Sequence, residues 1–430
     1  MTFTATRIGI AAILVASVAV IALAVVMLGA DDSDDTATDA TTTTLAVGET
    51  NTTGAAAPAT EPAASLGDEE EPRFELDGAL PLPTAEVNEM LTFVETQTGR
   101  SFRYPPTIVA QDRGTYEAGL STRLDEQLDE IVEEGEITAR YYQTLGLSDL
   151  TPDELAAAIQ AVLTSADGIG GYYDPDVDAL YVPVEGEVDG TFRSVLVHEL
   201  LHALDAQHVD LAAAIDTIGA SDDTEAAFAL TAVIEGRATA VQFNWMAANG
   251  VAVEVPELTD ELAAVPAAFL NALSLPYGFG QVYVAANGGP AGTWEAYENP
   301  PSSSEQVLFP DTAATETVVD VEATADGDVL DTSVFGAADL ALWLFGDSIE
   351  PSQADIISAL NAADGWAGGS SVLWGDDTES CLRIVLAADT PLDLTEMEAA
   401  VTPWVEAAEG RTSVVANDLL TVTSCTPFRS

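Results

Sequence analysis

The sequence predicts an α+β fold in which helices outnumber strands. Three observations carry this. Long stretches between residues 84 and 248 read as helix, one of them headed by a capping box. Residues 171–184 read as a β-hairpin. From residue 381 the tail alternates strand, helix and strand.

Arg7 precedes a run without charge over residues 8–30. As a helix rising about 1.5 Å per residue, it matches a hydrocarbon core of about 30 Å. Arg7 before it, and Asp31, Asp32, Asp34 and Asp35 after it, favour an inside N-terminus. A single-pass anchor over 1–30 is therefore expected, with the body on the extracytoplasmic side of the cell membrane. The alternative is a cleaved signal peptide ending at Ala30, and a secreted body. Residues 31–73 are dominated by Thr, Ala, Asp and Glu. They bury too little apolar surface to offset chain entropy, so a disordered acidic stalk is expected.

Every Trp, Tyr and Cys follows residue 73. Residues 84–98 and 113–164 read as helical. In TPDELAAAIQAVL (151–163), Thr151 caps, Pro152 takes the first helical position and Glu154 completes the box. Gly168, Gly170 and Gly171 end that run. GYYDPDVDALYVPV (171–184) sets aromatic and β-branched arms around a DPDVD turn. Residues 191–207 and 221–248 return to helix, the second capped by Ser221, Asp222 or Asp223. The Gly/Pro-rich segment 276–310 reads as loop. Helix follows over 336–346 and 353–363, then strand (381–388), helix (394–408) and strand (412–424). Two body regions are expected, 74–325 and an α+β region over 326–430 packed on it. Cys381 and Cys425 are the only cysteines; in an exported chain they can form a disulfide that closes the tail, the alternative being two reduced, buried thiols.

Twelve basic residues, all arginine, stand against 72 acidic ones, a formal charge of −60. Such a surface repels nucleic acid, which is excluded as a partner. Without lysine, Schiff-base catalysis and Ser–Lys dyads are excluded too. The three histidines, His198, His202 and His208, all lie in VHELLHALDAQH (197–208). Neither cysteine is near them in sequence, which argues against Cys–His catalysis.

His198 and His202 are four apart, hence one turn apart on one helix face. Two imidazole nitrogens can then reach one ion at about 2.0–2.1 Å. Glu199 sits beside the first. This is the H-E-x-x-H arrangement of zinc hydrolases, with the glutamate as general base. Val195, Leu196, Val197, Leu200, Leu201 and Leu204 make the helix apolar almost all round. It should be buried, where unpaired His and Glu would be costly. Two residues compete for third ligand. His208 has the metzincin spacing, but Asp205 stands where that motif has glycine. If the helix continues, His208 points about 240° away from His202. Glu235, in LTAVIEGRATAV, is a lone carboxylate in an apolar helical run, with Arg237 as an alternative partner.

HELLHALDAQH followed by IEGRA resembles the gluzincin clan of zinc metallopeptidases. The chain is similar in particular to uncharacterised prokaryotic gluzincin-like proteins. Beside the zinc pieces, the matching stretches are GYYDPDVDALYV (171–182), LPYGFGQVYV (275–284), NPPSSSEQVLFP (299–310) and AADGWAGG (362–369). The resemblance implies a zincin-like catalytic domain over 74–325, its active-site helix preceded by an edge strand or hairpin. It implies one Zn2+ per chain, His198, His202 and Glu235 as ligands, and Glu199 as base. A histidine is expected near the end of SEQVLFP, where Phe309 stands.

The expected activity is hydrolysis of a polypeptide substrate through a zinc-bound water activated by Glu199. Tyr277 and Tyr283 are the candidate oxyanion donors, with Arg237 a third. Residues 179–182 are the expected edge that pairs with extended substrate, and Pro183 suits an edge. Two rivals stand: a non-catalytic surface module braced by metal, and a zinc hydrolase of a non-protein amide such as cell wall.

Overall fold

A computed structural model describes residues 71–430, apart from 166–168, 186–187, 221–222, 253–262, 314–317, 347 and 349–350, together with Val15–Ala16. The fold is α+β. The first half runs β1 (Val15–Ala16), β2 (Glu75–Gly78), α1 (Thr84–Thr98), β3 (Thr107–Gln111), α2 (Arg113–Arg123), α3 (Asp125–Leu145), α4 (Pro152–Leu163), β4 (Gly171–Asp174), β5 (Ala179–Pro183) and α5 (Gly190–Ala206). There follow α6 (Leu211–Ala220), α7 (Thr224–Asn249), α8 (Ala267–Ala286), α9 (Gly289–Gly292) and α10 (Ser304–Leu308). The second half runs β6 (Val329–Val334), α11 (Ala337–Phe345), α12 (Gln353–Ala363), β7 (Trp366–Gly375), β8 (Glu379–Ala388), α13 (Pro391–Glu406), β9 (Arg411–Ala416) and β10 (Leu419–Pro427).

The first sheet has the order β1-β4-β5-β3-β2. β3 pairs parallel with both β2 and β5, and β4 pairs antiparallel with β5. Ile108, Leu180 and Val182 from this sheet share a core with Met90, Leu91 and Val94 of α1. Leu196, Leu200 and Leu204 of α5 and Ile234 and Val241 of α7 complete it. With apolar neighbours on several sides, α5 has no solvent face to mark with charge, which is why its sequence is apolar all round.

The second sheet is antiparallel throughout, in the order β6-β7-β8-β10-β9. Cys381 of β8 and Cys425 of β10 pair directly across the ladder and form a disulfide. Trp374 packs with Val372 and Cys381 of this sheet. α3 docks here and not in the first core. The Tyr141 hydroxyl meets Ser333 and Ser371, and Ser424 donates to the Thr144 carbonyl. Leu155, Ile159 and Leu163 of α4 join the same core.

Local chemistry divides the helical stretch 113–164 into three. Asp112 caps α2 by accepting from the Thr115 N–H. α3 ends at Gly146, whose φ of 77° lies in the left-handed region that suits glycine. Thr151 and Glu154 form the capping box of α4. Asp223 is the residue that caps α7. The reading of 276–310 as loop is corrected in part, because residues 276–286 belong to α8, with Pro276 inside that helix, and α9 and α10 also fall within the segment. The strand read over 412–424 is a hairpin, turned by Asn417 and Asp418 at φ 56° and 62°.

The expectation of a single-pass anchor, and with it a membrane partner and a cell-membrane location, is corrected. No helix among the described residues is long and apolar enough to cross a membrane. Val15–Ala16, from the middle of the apolar run, form a strand against Gly171 and Tyr172 of β4. A spanning segment satisfies its backbone within its own helix, which a strand paired to a neighbouring sheet does not do. The rest of 1–30, and the stalk up to residue 70, lie outside the described residues.

The two cores meet at buried carboxylates. Glu225, at the head of α7, accepts from the N–H and hydroxyl of Ser304. Asp339 of α11 accepts from the Gly336 N–H. Burial pushes Glu225 up to about 7 even though Ser304 opposes it. Burial, with the charge of Glu225, pushes Asp339 up to about 8. Both values exceed those of the unfolded chain, about 4. The stabilisation is thus fully present below about pH 4 and is lost as pH rises through the folded values. The melting temperature is expected to fall between pH 5 and pH 8, and Glu225→Gln to flatten that fall. Equal slopes for the two proteins would show that the junction does not govern stability in this range.

Candidate metal centre

α5 starts where the Asp189 side chain accepts from the Phe192 N–H, and it carries His198, Glu199 and His202 into the first core. α7 crosses it and brings Glu235. All four side chains are completely buried. One donor atom each from His198, His202 and Glu235 lies within 4.8 Å of the others. Nε2 of His198 is 3.2 Å, and Nε2 of His202 3.5 Å, from the same Glu235 oxygen. Two donors each about 2.0–2.1 Å from one tetrahedral ion stand about 3.3 Å apart. The two histidine–glutamate separations match that spacing, so the set could hold a metal ion.

The electrostatics favour a cation among these groups. No side chain donates to either oxygen of Glu199, which is met only by the Tyr173 backbone, and the second oxygen of Glu235 has no partner. Burial pushes Glu199 up to about 8; His198 opposes this and Glu235 adds to it. Burial pushes Glu235 up as well, but His202 and His198 outweigh it, and the net shift is downward. Two buried carboxylates facing two imidazoles and a cation make a balanced set. The same carboxylates and imidazoles alone are costly to bury.

Tyr277 of α8 stacks on His198, ring centroids 6.1 Å apart. Its hydroxyl is raised well above the usual tyrosine range, by burial first, then by the charges of Glu235 and Glu199 and a hydrogen bond to Glu235. Tyr283 lies about 240° further round α8 and packs at the second core, so it is not brought to the centre. Phe309 also packs at the second core.

His208 is elsewhere. α5 ends at Ala206, and the His208 Nε2 donates to the Ser101 carbonyl at 2.9 Å. Asp205 is committed to Arg237, accepting from both its Nε and its Nη2, at 2.9 and 3.0 Å. Arg237 also donates to the Pro290 carbonyl and to Thr293, and Tyr297 donates to Asp205. Arg237 is thus a buried brace between α5 and α7, with its donors directed away from the metal centre.

The strand edge also differs from expectation. β5, residues 179–183, is paired on both sides, to β4 and to β3. The strand nearest the centre is β4: a Cβ on Gly171 would come within 3.3 Å of the Glu199 Cγ. Residues that sequence reasoning missed are Gln242 and Ser194, behind His198, and Tyr116 of α2. Tyr116 is completely buried, donates to the Ile169 carbonyl and feels the charge of Glu199. Nothing in the sequence around Tyr116 marks it. Gln242 carries a faint signal as a lone amide in an apolar helical run.

Comparison with protein-family models, with curated proteins and with solved structures found no match to this chain.

Proposed function

We propose that the chain is a zinc metallopeptidase, a zincin-like hydrolase of peptide bonds. The observation that carries this reading is the convergence of His198, His202 and Glu235, with Glu199 in the same turn of helix. Two imidazoles and a carboxylate form a donor set of catalytic zinc. When bound, the ion supplies Lewis acidity that polarises a carbonyl and acidifies water. Glu199 takes the proton of the attacking water and returns it to the leaving amine. Its oxygens meet no competing side-chain donor. Tyr277 would turn its O–H from Glu235 to the developing oxyanion. An extended peptide would pair antiparallel along β4 by taking the place of Val15–Ala16.

The complete burial of the four side chains favours a second reading, in which the metal only braces α5 against α7. Metal analysis of the full chain followed by digestion of a peptide library separates the two. Near-stoichiometric zinc and chelator-sensitive cleavage are expected. Zinc without cleavage supports the brace, and no metal sinks both readings. Glu235→Ala is expected to empty the centre, while His208→Ala leaves the zinc-to-protein ratio unchanged. The reverse pattern would reassign the third ligand.

A further inference from the structure

Gln242 lies seven residues beyond Glu235, two turns along the same face of α7. It is buried at 3 % exposure. Its Oε1 is 3.1 Å from Nδ1 of His198, and its Nε2 is 3.2 Å from the Ser194 hydroxyl. Ser194 in turn donates to the Thr191 carbonyl at 2.8 Å. A carbonyl oxygen can only accept, so the direction of the whole chain follows from its far end. The Ser194 proton is committed to Thr191, and Ser194 therefore accepts from the amide N–H. The amide then presents its oxygen to His198, and His198 must carry its proton on Nδ1. That leaves Nε2 facing Glu235.

Among the described residues, no other side chain is seen to hydrogen-bond Nδ1 of His198. Thr239, one turn after Glu235, is buried with no hydrogen bond to its hydroxyl. Nδ1 of His202 has no partner either. One ligand of the pair is held and the other is not.

We propose that Gln242 is the positioning residue of the metal centre, fixing the tautomer and ring of His198 through a neutral amide anchored by Ser194 on the Thr191 carbonyl. Partners of this kind set the orientation and donor strength of a metal-bound imidazole. Here the partner adds no charge, so the centre keeps a weaker donor than a carboxylate partner would give it.

The inference rests on the zinc reading for its consequence, but not for its test. The full-length chain is compared with Gln242→Met, Gln242→Glu and Ser194→Ala. Methionine keeps the volume and removes the hydrogen bond. The first readout is zinc affinity, by competition with a chromophoric chelator. Gln242→Met is expected to weaken it about 10- to 100-fold, Ser194→Ala to weaken it several-fold, and Gln242→Glu to match or exceed the wild type. The second readout is the His198 Nδ1–H proton resonance in 15N-labelled protein, which is expected to exchange slowly with water, with or without metal. It should exchange fast in Gln242→Met. If that variant does not fold, Ser194→Ala and Gln242→Glu carry both readouts. Unchanged affinity and unchanged exchange in Gln242→Met, or in Ser194→Ala where Gln242→Met does not fold, would overturn the proposal. A wild type that binds no zinc but shows the protected Nδ1–H sinks the peptidase reading and leaves the positioning role standing.

Discussion

Glu199→Gln is expected to cut peptide hydrolysis by about 100- to 10 000-fold, the range for loss of a general base, with zinc retained. Glutamine keeps the shape of the side chain but cannot take a proton. The metal donors of His198, His202 and Glu235 are untouched by the change. The fold should tolerate it, because a fully buried carboxylate with no side-chain partner is replaced by a neutral group. Turnover of a cleaved peptide, zinc content and melting temperature are read on the same preparation. Full turnover would remove Glu199 from the mechanism. Lost zinc would show that its charge helps to hold the ion.

Gly236→Ala is expected to have the largest effect on folding and to reach the metal as well. A Cβ on Gly236 would lie 2.1 Å from the Gly280 carbonyl carbon, and one on Gly280 would lie 2.1 Å from the Ala232 carbonyl oxygen. Both obstacles are backbone, so α7 and α8 must separate. Alanine gains about 1 kcal/mol of helix propensity, while overpacking costs about 1–3 kcal/mol and sometimes more. With main chain meeting main chain, the cost is expected to win. Glu235 adjoins the crossing on α7 and Tyr277 approaches it on α8, so zinc affinity should fall together with melting temperature. Gly280→Ala should act alike. An unchanged melting temperature in both variants would mean that the helices part at little cost.

That crossing also explains which features are legible in the sequence and which are not. His198, Glu199 and His202 are visible because charge and imidazole in an apolar helix have few uses. Glu235 is visible for the same reason. The helix that supports it is hidden, since Pro276, Gly278 and Gly280 are loop residues by local preference. Tertiary contact overrides that preference: Gly280 is small so that α7 can approach. Strands β2, β3 and β6 carry no clear local mark because their partners lie far away in the chain, and β7 carries none although it forms a hairpin with β8. Gly368 and Gly369 further weaken the strand pattern of β7, although a side chain at either would strike neighbouring backbone. Asp205 looks like a defect in a ligand motif. Only the position of Arg237 across the helix pair gives it a purpose.

The path of α3 and α4 has a practical consequence. The chain builds β2, α1, β3 and α2 beside the metal helix, leaves to fill the second core with Tyr141, Leu155 and Ile159, and then returns as β4. A gene fragment stopping at residue 325 would include those helices but none of the sheet they cover. Their greasy sides would then face water, inviting aggregation in the expression host. The halves are laced together like two hands with fingers crossed, and the molecule is expected to melt in one transition, not two.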